Sequence, residues 1–203
     1  RQPTDDSPQH GSAAQEPSGP PGQFTSRCGQ EVAAADCGMS DADKGAYVSR
    51  AGAKLDHALS ALKVDVTGLI CADLGCSTGG FTDCLLAHGA SKVYAVDRGY
   101  GVLDLRLRND PRVVVMERAD ALQVHLPETV DLVTIDCGWT RQELILPSAK
   151  RLLGEGGRIV SLVKPQYEAP AHLLRGGLLA DDQASGVLDP LRATVGNWGL
   201  VIV

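Results

Sequence analysis

One short stretch, residues 71–81 (CADLGCSTGGF), constrains the fold more strongly than any other part of the chain. The apolar residues around its start are typical of a strand that is covered on both faces. Three glycines follow within six positions, where they let the backbone turn sharply and approach a ligand closely. The leucines beyond them predict a helix, with Ser77 and Thr78 as candidate caps. A strand, a glycine turn and a helix N-terminus in this order predict a cofactor-binding turn.

The spacing of this turn, D-x-G-x-x-x-G-G, differs from the G-x-G-x-x-G spacing of dinucleotide-binding turns. A dinucleotide needs backbone amides aimed at its pyrophosphate, whereas S-adenosylmethionine (SAM) has no phosphate and presents an amino-acid end instead. Asp73, just before the turn, is placed to take up the ammonium group of that end, directly or through water. For the motif alone, the alternative is an ordinary tight turn between a strand and a helix. The residues expected to bind the cofactor here are Asp73, Gly75, Ser77, Gly79, Gly80 and Phe81.

Two more acidic residues follow the next two predicted strands. The strand at residues 92–97 ends in Asp97, 22 residues after Gly75, the distance at which an acid binds ribose hydroxyls in nucleoside-binding folds. Asp120 follows the strand at residues 113–116, where it is placed to meet an adenine amino group. Three acids at three successive strand ends favour a nucleoside cofactor over a turn without a ligand.

Composition divides the chain into a tail and one domain. Residues 1–45 are rich in Pro, Gly, Ser, Gln and Ala, so we expect them to be disordered. No apolar run approaches the ~18 residues of a membrane helix, and no signal peptide is recognisable. The six cysteines form no C-x-x-C pair and have no histidine at zinc spacing, which predicts no metal and a reducing, cytoplasmic compartment. The net charge of −6 argues against a strongly basic nucleic-acid surface.

Two charged residues close the predicted fourth and fifth strands, at residues 130–136 and 157–164. A charged residue at the carboxyl end of a central strand lies over the ligand crevice, so Asp136 is a catalytic or substrate-positioning candidate and is also expected to contact the cofactor. The alternative for Asp136 is a cap for the helix that follows. Lys164 would be partly desolvated and would lie beside that carboxylate. Both conditions change the basicity of a lysine. From its pattern alone, Lys54 on the first predicted helix is a solvated lysine.

Strands that alternate with helices predict an α/β fold with a mostly parallel sheet covered on both faces. We count six strands, the last at residues 199–203, and a helix at residues 181–195 that Pro190 kinks or interrupts. Trp139, after the fourth strand, either stacks on a base or substrate ring or covers the core.

Four segments resemble the FtsJ-type RNA ribose methyltransferases, most of all their haemolysin-like, TlyA-type branch. They are residues 47–55 (YVSRAGAKL), 73–83 (DLGCSTGGFTD), 96–101 (VDRGYG) and 162–168 (LVKPQYE). The resemblance implies that residues 46–203 form a Rossmann-like, class I SAM-dependent methyltransferase domain. The domain would methylate the ribose 2′-hydroxyl of RNA, with ribosomal RNA as the favoured substrate. It also implies a Lys-Asp-Lys-Glu catalytic set, of which Lys54, Asp136 and Lys164 match by motif.

The chain departs from that family at three places. The family's final Glu would lie beyond Val203, the sequence CGWTRQ after Asp136 is unlike the family's Leu-Ser-Phe-Ile type, and residues 1–45 do not resemble the branch's small RNA-binding domain. We therefore expect the last strand of the sheet to be missing, the domain to be truncated at its C-terminus, and methyl transfer to be weak. A SAM-binding protein without catalysis is the alternative; the glycine spacing disfavours a nucleotide-dependent oxidoreductase.

Overall fold

The computed structural model describes residues 45–200 and 202. Except for Gly45, the predicted disordered tail lies outside these residues. The strands are β1 Ile70–Leu74, β2 Lys92–Asp97, β3 Val113–Glu117, β4 Val130–Ile135 and β5 Leu153–Ser161. The α-helices are α1 Arg50–Ala61, α2 Gly80–Ala87, α3 Leu105–Arg108, α4 Gln142–Leu152, α5 Pro165–Glu168 and α6 Ala184–Val195. In this part of the chain, no helix is long and apolar enough to cross a bilayer.

The five strands form one parallel sheet in the order β3-β2-β1-β4-β5, which confirms the α/β prediction. From β1 the chain moves outward to β3, then crosses to the other side of β1 for β4. The carboxyl ends of β1 and β4 therefore flank the point where the strand order reverses. In parallel sheets of this kind, ligands bind in the crevice at that point.

Residues of β1 alternate between two apolar layers. Cys71 faces a core that includes Leu55 of α1 and Leu85 of α2. Ala72 and Leu74 face a second core with residues of α4 and α6. The period of two along a strand thus places helices on both faces of the sheet, as a buried parallel sheet requires.

Two predicted elements differ in the structure. Strand β5 ends at Ser161 rather than at Lys164, because Pro165 begins α5 and Lys164 is its N-cap. No sixth strand is found at the described positions 199, 200 and 202; residues 201 and 203 lie outside the description.

Of the two outcomes predicted at Pro190, a kink or an interruption, the interruption is wrong, because α6 continues through it. Pro190 lacks an N–H and costs the helix a hydrogen bond. Burial of Ala184, Leu188 and Val195 on one side of α6 offsets that loss.

Candidate active site

The glycine turn begins where β1 ends beside β4. Gly75 has a φ of 84°, and a Cβ there would lie 3.0 Å from the Asp136 carbonyl oxygen and 3.1 Å from Cys137 Cα. Any side chain at Gly75 would therefore push the ends of β1 and β4 apart. The amides of Gly75 and Cys76 both donate to the Val96 carbonyl of β2, at 2.9 and 3.1 Å. The turn is thus tied to the strand on each side.

Helix α2 begins at Gly80 as predicted, but its N-cap is Gly79, with a φ of 102° and no side-chain cap. The prediction that Ser77 or Thr78 caps the helix is wrong. A hydroxyl cap sits on extended backbone, whereas Gly79 is in the left-handed region. A Cβ at Gly79 would also lie 2.7 Å from Leu103 Cδ1, so the packing of the following loop requires glycine as well.

Asp73 lies fully buried beneath this turn. The Thr82 hydroxyl donates to its Oδ2 at 2.7 Å, and the Thr134 hydroxyl donates to its Oδ1 at 3.2 Å. Burial raises the pKa of Asp73 to about 7, and the two hydroxyl donors oppose that rise. In this structure the carboxylate connects β1 to α2 and β4, and it does not line the cavity described below.

Asp97 ends β2 beside the turn. Its Oδ2 accepts the amide of Ser77 at 2.8 Å, and its Oδ1 accepts the amide of Gly99 at 2.7 Å. Ser77 has a φ of 49°, an unusual value for serine that this bond helps to hold. Asp97 therefore faces the cavity and also fixes the conformation of the turn. The second role could not be predicted from its position at a strand end.

Asp136 and Lys164 meet at the same edge of the sheet. Lys164 Nζ lies 2.6 Å from Asp136 Oδ1, and the two side chains are 27% and 22% exposed. The Oδ1 atom is buried and accepts no hydrogen bond of good geometry from the described residues, so the contact is an ion pair. The pair therefore presents an amine and a carboxylate side by side among the residues that line the cavity described below.

A cavity of about 400 Å³ connects these features, a size typical of small-molecule sites. Six of the predicted residues line it, namely Gly75, Ser77, Phe81, Asp97, Asp136 and Lys164. Its other lining residues, which sequence reasoning did not select, are Ser49, Ala51, Cys76, Thr78 and Gly138. Carboxylates that accept hydrogen bonds, turn amides that donate them and an apolar ring that packs against a ligand are groups that fit SAM.

Four predicted residues do not line this cavity: Asp73, Gly79, Gly80 and Asp120. Asp120 instead accepts the Leu122 amide at 3.0 Å and pairs with Arg98, Nη2 to Oδ2 3.3 Å. Lys54 also lies outside the lining, half-buried on α1, one turn beyond Ala51. Ser49 and Ala51 precede it, so helix α1 contributes to the cavity through its first turn.

Trp139 does not cover the core, because 87% of its surface is exposed. Its ring packs on Tyr167 of α5, with centroids 4.9 Å apart and planes 36° from parallel. Lys164 Nζ in turn lies 5.7 Å from the centre of the Tyr167 ring. An aromatic pair, exposed at Trp139 and half-buried at Tyr167, therefore adjoins Lys164 of the ion pair.

Glu168 has a structural partner rather than a place in the cavity. It is 8% exposed, and its Oε1 accepts the amide of Gln142, the first residue of α4, at 2.8 Å. Burial raises the pKa of Glu168. Gln142 also accepts the Ser161 hydroxyl at 2.8 Å, so these contacts hold together the segments that carry Asp136 and Lys164.

Together, the parallel sheet, the glycine turn at its reversal point and the acid at the end of β2 define a class I methyltransferase fold. Residues 47–187 match the FtsJ-like methyltransferase family, and the chain belongs to that family. Membership confirms the family that the four motifs predict, and with it the fold and SAM as the cofactor.

Named relatives support this assignment. The chain is 43% identical to the 16S/23S rRNA (cytidine-2′-O)-methyltransferase TlyA of Mycobacterium tuberculosis over 71% of this chain and 55% of TlyA. It is 42% identical to hemolysin A of Brachyspira hyodysenteriae over 67% of this chain and 59% of that protein. The chain thus spans about half the length of the curated relatives it matches.

A solved structure of a hemolysin-type protein from Streptococcus thermophilus superimposes with a TM-score of 0.73. The two sequences are 37% identical, and the match covers 75% of this chain and 57% of the other.

Proposed function

We propose that this chain methylates the 2′-hydroxyl of a ribose in ribosomal RNA, with SAM as the methyl donor. The observation that carries the proposal is the Lys164–Asp136 ion pair, with 2.6 Å between Nζ and Oδ1, in the cavity beside the glycine turn. Family membership supports methyl transfer, and the printed activity of the TlyA relative supports rRNA ribose as acceptor. The cytoplasm, where ribosomal RNA is found, is the proposed location.

The residues divide the chemistry between them. SAM, when bound, supplies an activated methyl group. Asp97 would bind the ribose hydroxyls of the cofactor, and Phe81 would pack against it. Lys164, in its neutral amine form, would take the proton from the acceptor hydroxyl and become the ammonium that pairs with Asp136, since a hydroxyl must lose its proton as it attacks. Asp136 would orient Lys164 and offset its charge, and Lys54, by motif, would add a second cation near the acceptor.

The Trp139–Tyr167 pair adjoins Lys164 and exposes the Trp139 ring, and we infer that it receives the base of the acceptor nucleotide. Aromatic rings bind unstacked bases of RNA by stacking, at about 1–3 kcal/mol per base. An acceptor base on this pair would leave its ribose near the Lys164 amine. The acceptor would thus approach from the side of β4 and β5, opposite the ribose-binding acid on β2.

The direct test is methyl transfer from labelled SAM to unmodified ribosomal RNA, followed by mass spectrometry of the nucleosides. Wild-type protein should produce a 2′-O-methylated nucleoside, and Lys164→Ala should not. Lys92→Ala is the matched control, because Lys92 is also ion-paired, to Glu128 at 2.7 Å, but at the opposite edge of the sheet.

Each outcome has a distinct meaning. Methylation in wild type and in Lys92→Ala, but not in Lys164→Ala, supports the proposal. SAM binding without transfer to any RNA would support the non-catalytic alternative instead. Equal transfer by wild type and Lys164→Ala would show that this lysine is structural.

A further inference from the structure

Three side chains that commonly bind metal ions meet between α1 and α2, away from the residues that line the cavity. Asp56 lies on α1, Cys84 lies on α2, and His88 is the residue at which α2 ends. Their ligand atoms all lie within 4.8 Å of one another, and His88 Nε2 is 2.7 Å from Asp56 Oδ1. We call these three residues the interhelical triad.

The geometry of the triad follows from helix periodicity. Cys84 and His88 are four residues apart, so their side chains lie on one face of α2, and α1 brings Asp56 against that face. In a tetrahedral zinc site, ligands 2.0–2.3 Å from the ion lie about 3.5 Å apart, so the triad needs shifts on the order of 1 Å. Three protein ligands with one open position are a recurrent arrangement for zinc.

Burial differs among the three groups in a way that suits an ion. The Cys84 side chain is fully buried, whereas Asp56 and His88 are 44% and 33% exposed and offer a path from solvent. Burial raises the pKa of the Cys84 thiol to about 12, and the thiol is hydrogen-bonded to Tyr47. Without a cation this thiol stays protonated; a bound metal ion displaces the proton and stabilises the thiolate.

We propose that Asp56, Cys84 and His88 bind one divalent transition-metal ion of the zinc type, which joins α1 to α2. On binding, the Cys84 proton is released to solvent. The ion would connect the helix that carries Lys54 to the helix that follows the glycine turn. This site goes beyond the proposed methyl transfer and does not depend on it, because none of its residues lines the cavity.

A spacing search along the sequence misses this site. Cys84 and His88 lie close together, but the carboxylate comes from another helix, 32 residues before His88. The expectation of no metal rested only on the spacing of cysteines and histidines along the sequence. That spacing does not show a ligand that another helix brings into the site.

Cobalt(II) tests the proposal directly, because a thiolate ligand gives a charge-transfer absorption in the near ultraviolet. The full chain, freed of metal with a chelator, should bind one equivalent of Co²⁺ with that absorption. Cys84→Ser should lose it. Cys71→Ser should keep it, since Cys71 is an equally buried cysteine in the same apolar core but outside the triad.

Thermal unfolding with Zn²⁺ gives a second readout that does not require Cys84→Ser to fold. At a hundredfold excess over the dissociation constant, Zn²⁺ should raise the Tm of wild type by about 5–10 °C. His88→Gln should abolish that rise while leaving the metal-free Tm nearly unchanged, since His88 is part-exposed. No charge-transfer band in wild type, or an equal rise in His88→Gln, would overturn the proposal.

Discussion

The cofactor side and the acceptor side of the candidate site are built differently. The cofactor side is mostly backbone held by the core: Cys76 and Phe81 are about 95% buried, and Asp97 binds two main-chain amides. The acceptor side is made of side chains on loops, with Trp139 exposed and Lys164 part-exposed. The shape of the cofactor side therefore depends on how the backbone folds, whereas the chemistry of the acceptor side depends on which side chains its loops carry.

This difference has consequences for variants. Substitutions on the cofactor side change the shape of the turn, so they should alter SAM affinity and stability together. Substitutions on the acceptor side remove groups without disturbing the core, so they should alter transfer or RNA binding alone. The predictions below test that division, from the largest expected effect to the smallest.

Lys164 and Asp136 should give the largest effect, because in the proposed mechanism they act as a unit on the acceptor hydroxyl. Lys164→Ala and Asp136→Ala should each lower the rate of methyl transfer by about 10²–10⁴. The double variant should be no more than about threefold slower than the slower single variant, because the groups share one step. Single-turnover rates with labelled SAM measure this; losses that multiply would place the residues in separate steps.

Asp97 should have the next largest effect, on SAM affinity. Asp97→Ala removes the proposed ribose acceptor, at a cost of roughly 1.5–3 kcal/mol, which is about tenfold to hundredfold in affinity. It also frees the amides of Ser77 and Gly99. Asp97→Asn keeps one oxygen acceptor and should lie between wild type and Asp97→Ala in calorimetric titration. Wild-type affinity in Asp97→Ala would remove Asp97 from the site.

Trp139 should have a smaller effect, confined to RNA. Trp139→Ala should weaken RNA binding by about fivefold, the lower end for stacking, because Tyr167 remains. Trp139→Phe should restore most of the affinity, and neither variant should change SAM affinity. Fluorescence anisotropy with an rRNA fragment measures the first effect, and calorimetry the second. A parallel loss of SAM affinity would break the division between the two sides.

Much of the cofactor side was predictable from sequence. Strand β2 occupies the predicted residues, because a buried strand can be recognised from its continuous apolar run. Asp97, at the end of that strand, faces the cavity. The pairing of Asp136 with Lys164 also followed from one rule, since parallel strands end at one edge.

The remaining features depend on contacts between distant segments. Gly79 caps α2 because Leu103 packs against it, and sequence-local rules favour a hydroxyl. Asp120 pairs with Arg98, a partner that lies on a different loop. Trp139 packs on Tyr167, 28 residues further along the chain, rather than on the core. Each outcome was decided by packing that no local pattern records.

Asp73 gives the smallest and most specific test, a pH dependence of stability. Burial raises its pKa from 3.8 to about 7, so the folded state holds the proton more tightly than the unfolded chain. The stability this contributes is full below 3.8 and is lost as pH rises through 7. Asp73→Asn cannot ionise, and its amide can still meet both threonine hydroxyls.

The Tm difference, Asp73→Asn minus wild type, should therefore grow with pH from about 4 to about 8, across the two pKa values. Glu168 is common to both proteins, so its own titration cancels. Asp189→Asn, a change at an exposed acid, should show a constant difference. If Asp73 takes up the SAM ammonium, directly or through water, saturating SAM should narrow the difference at high pH, because a nearby cation favours the ionised carboxylate. If the Tm difference did not change with pH, Asp73 would titrate as an exposed acid. If saturating SAM did not change the Tm difference, the role of Asp73 would be limited to holding β1 against α2.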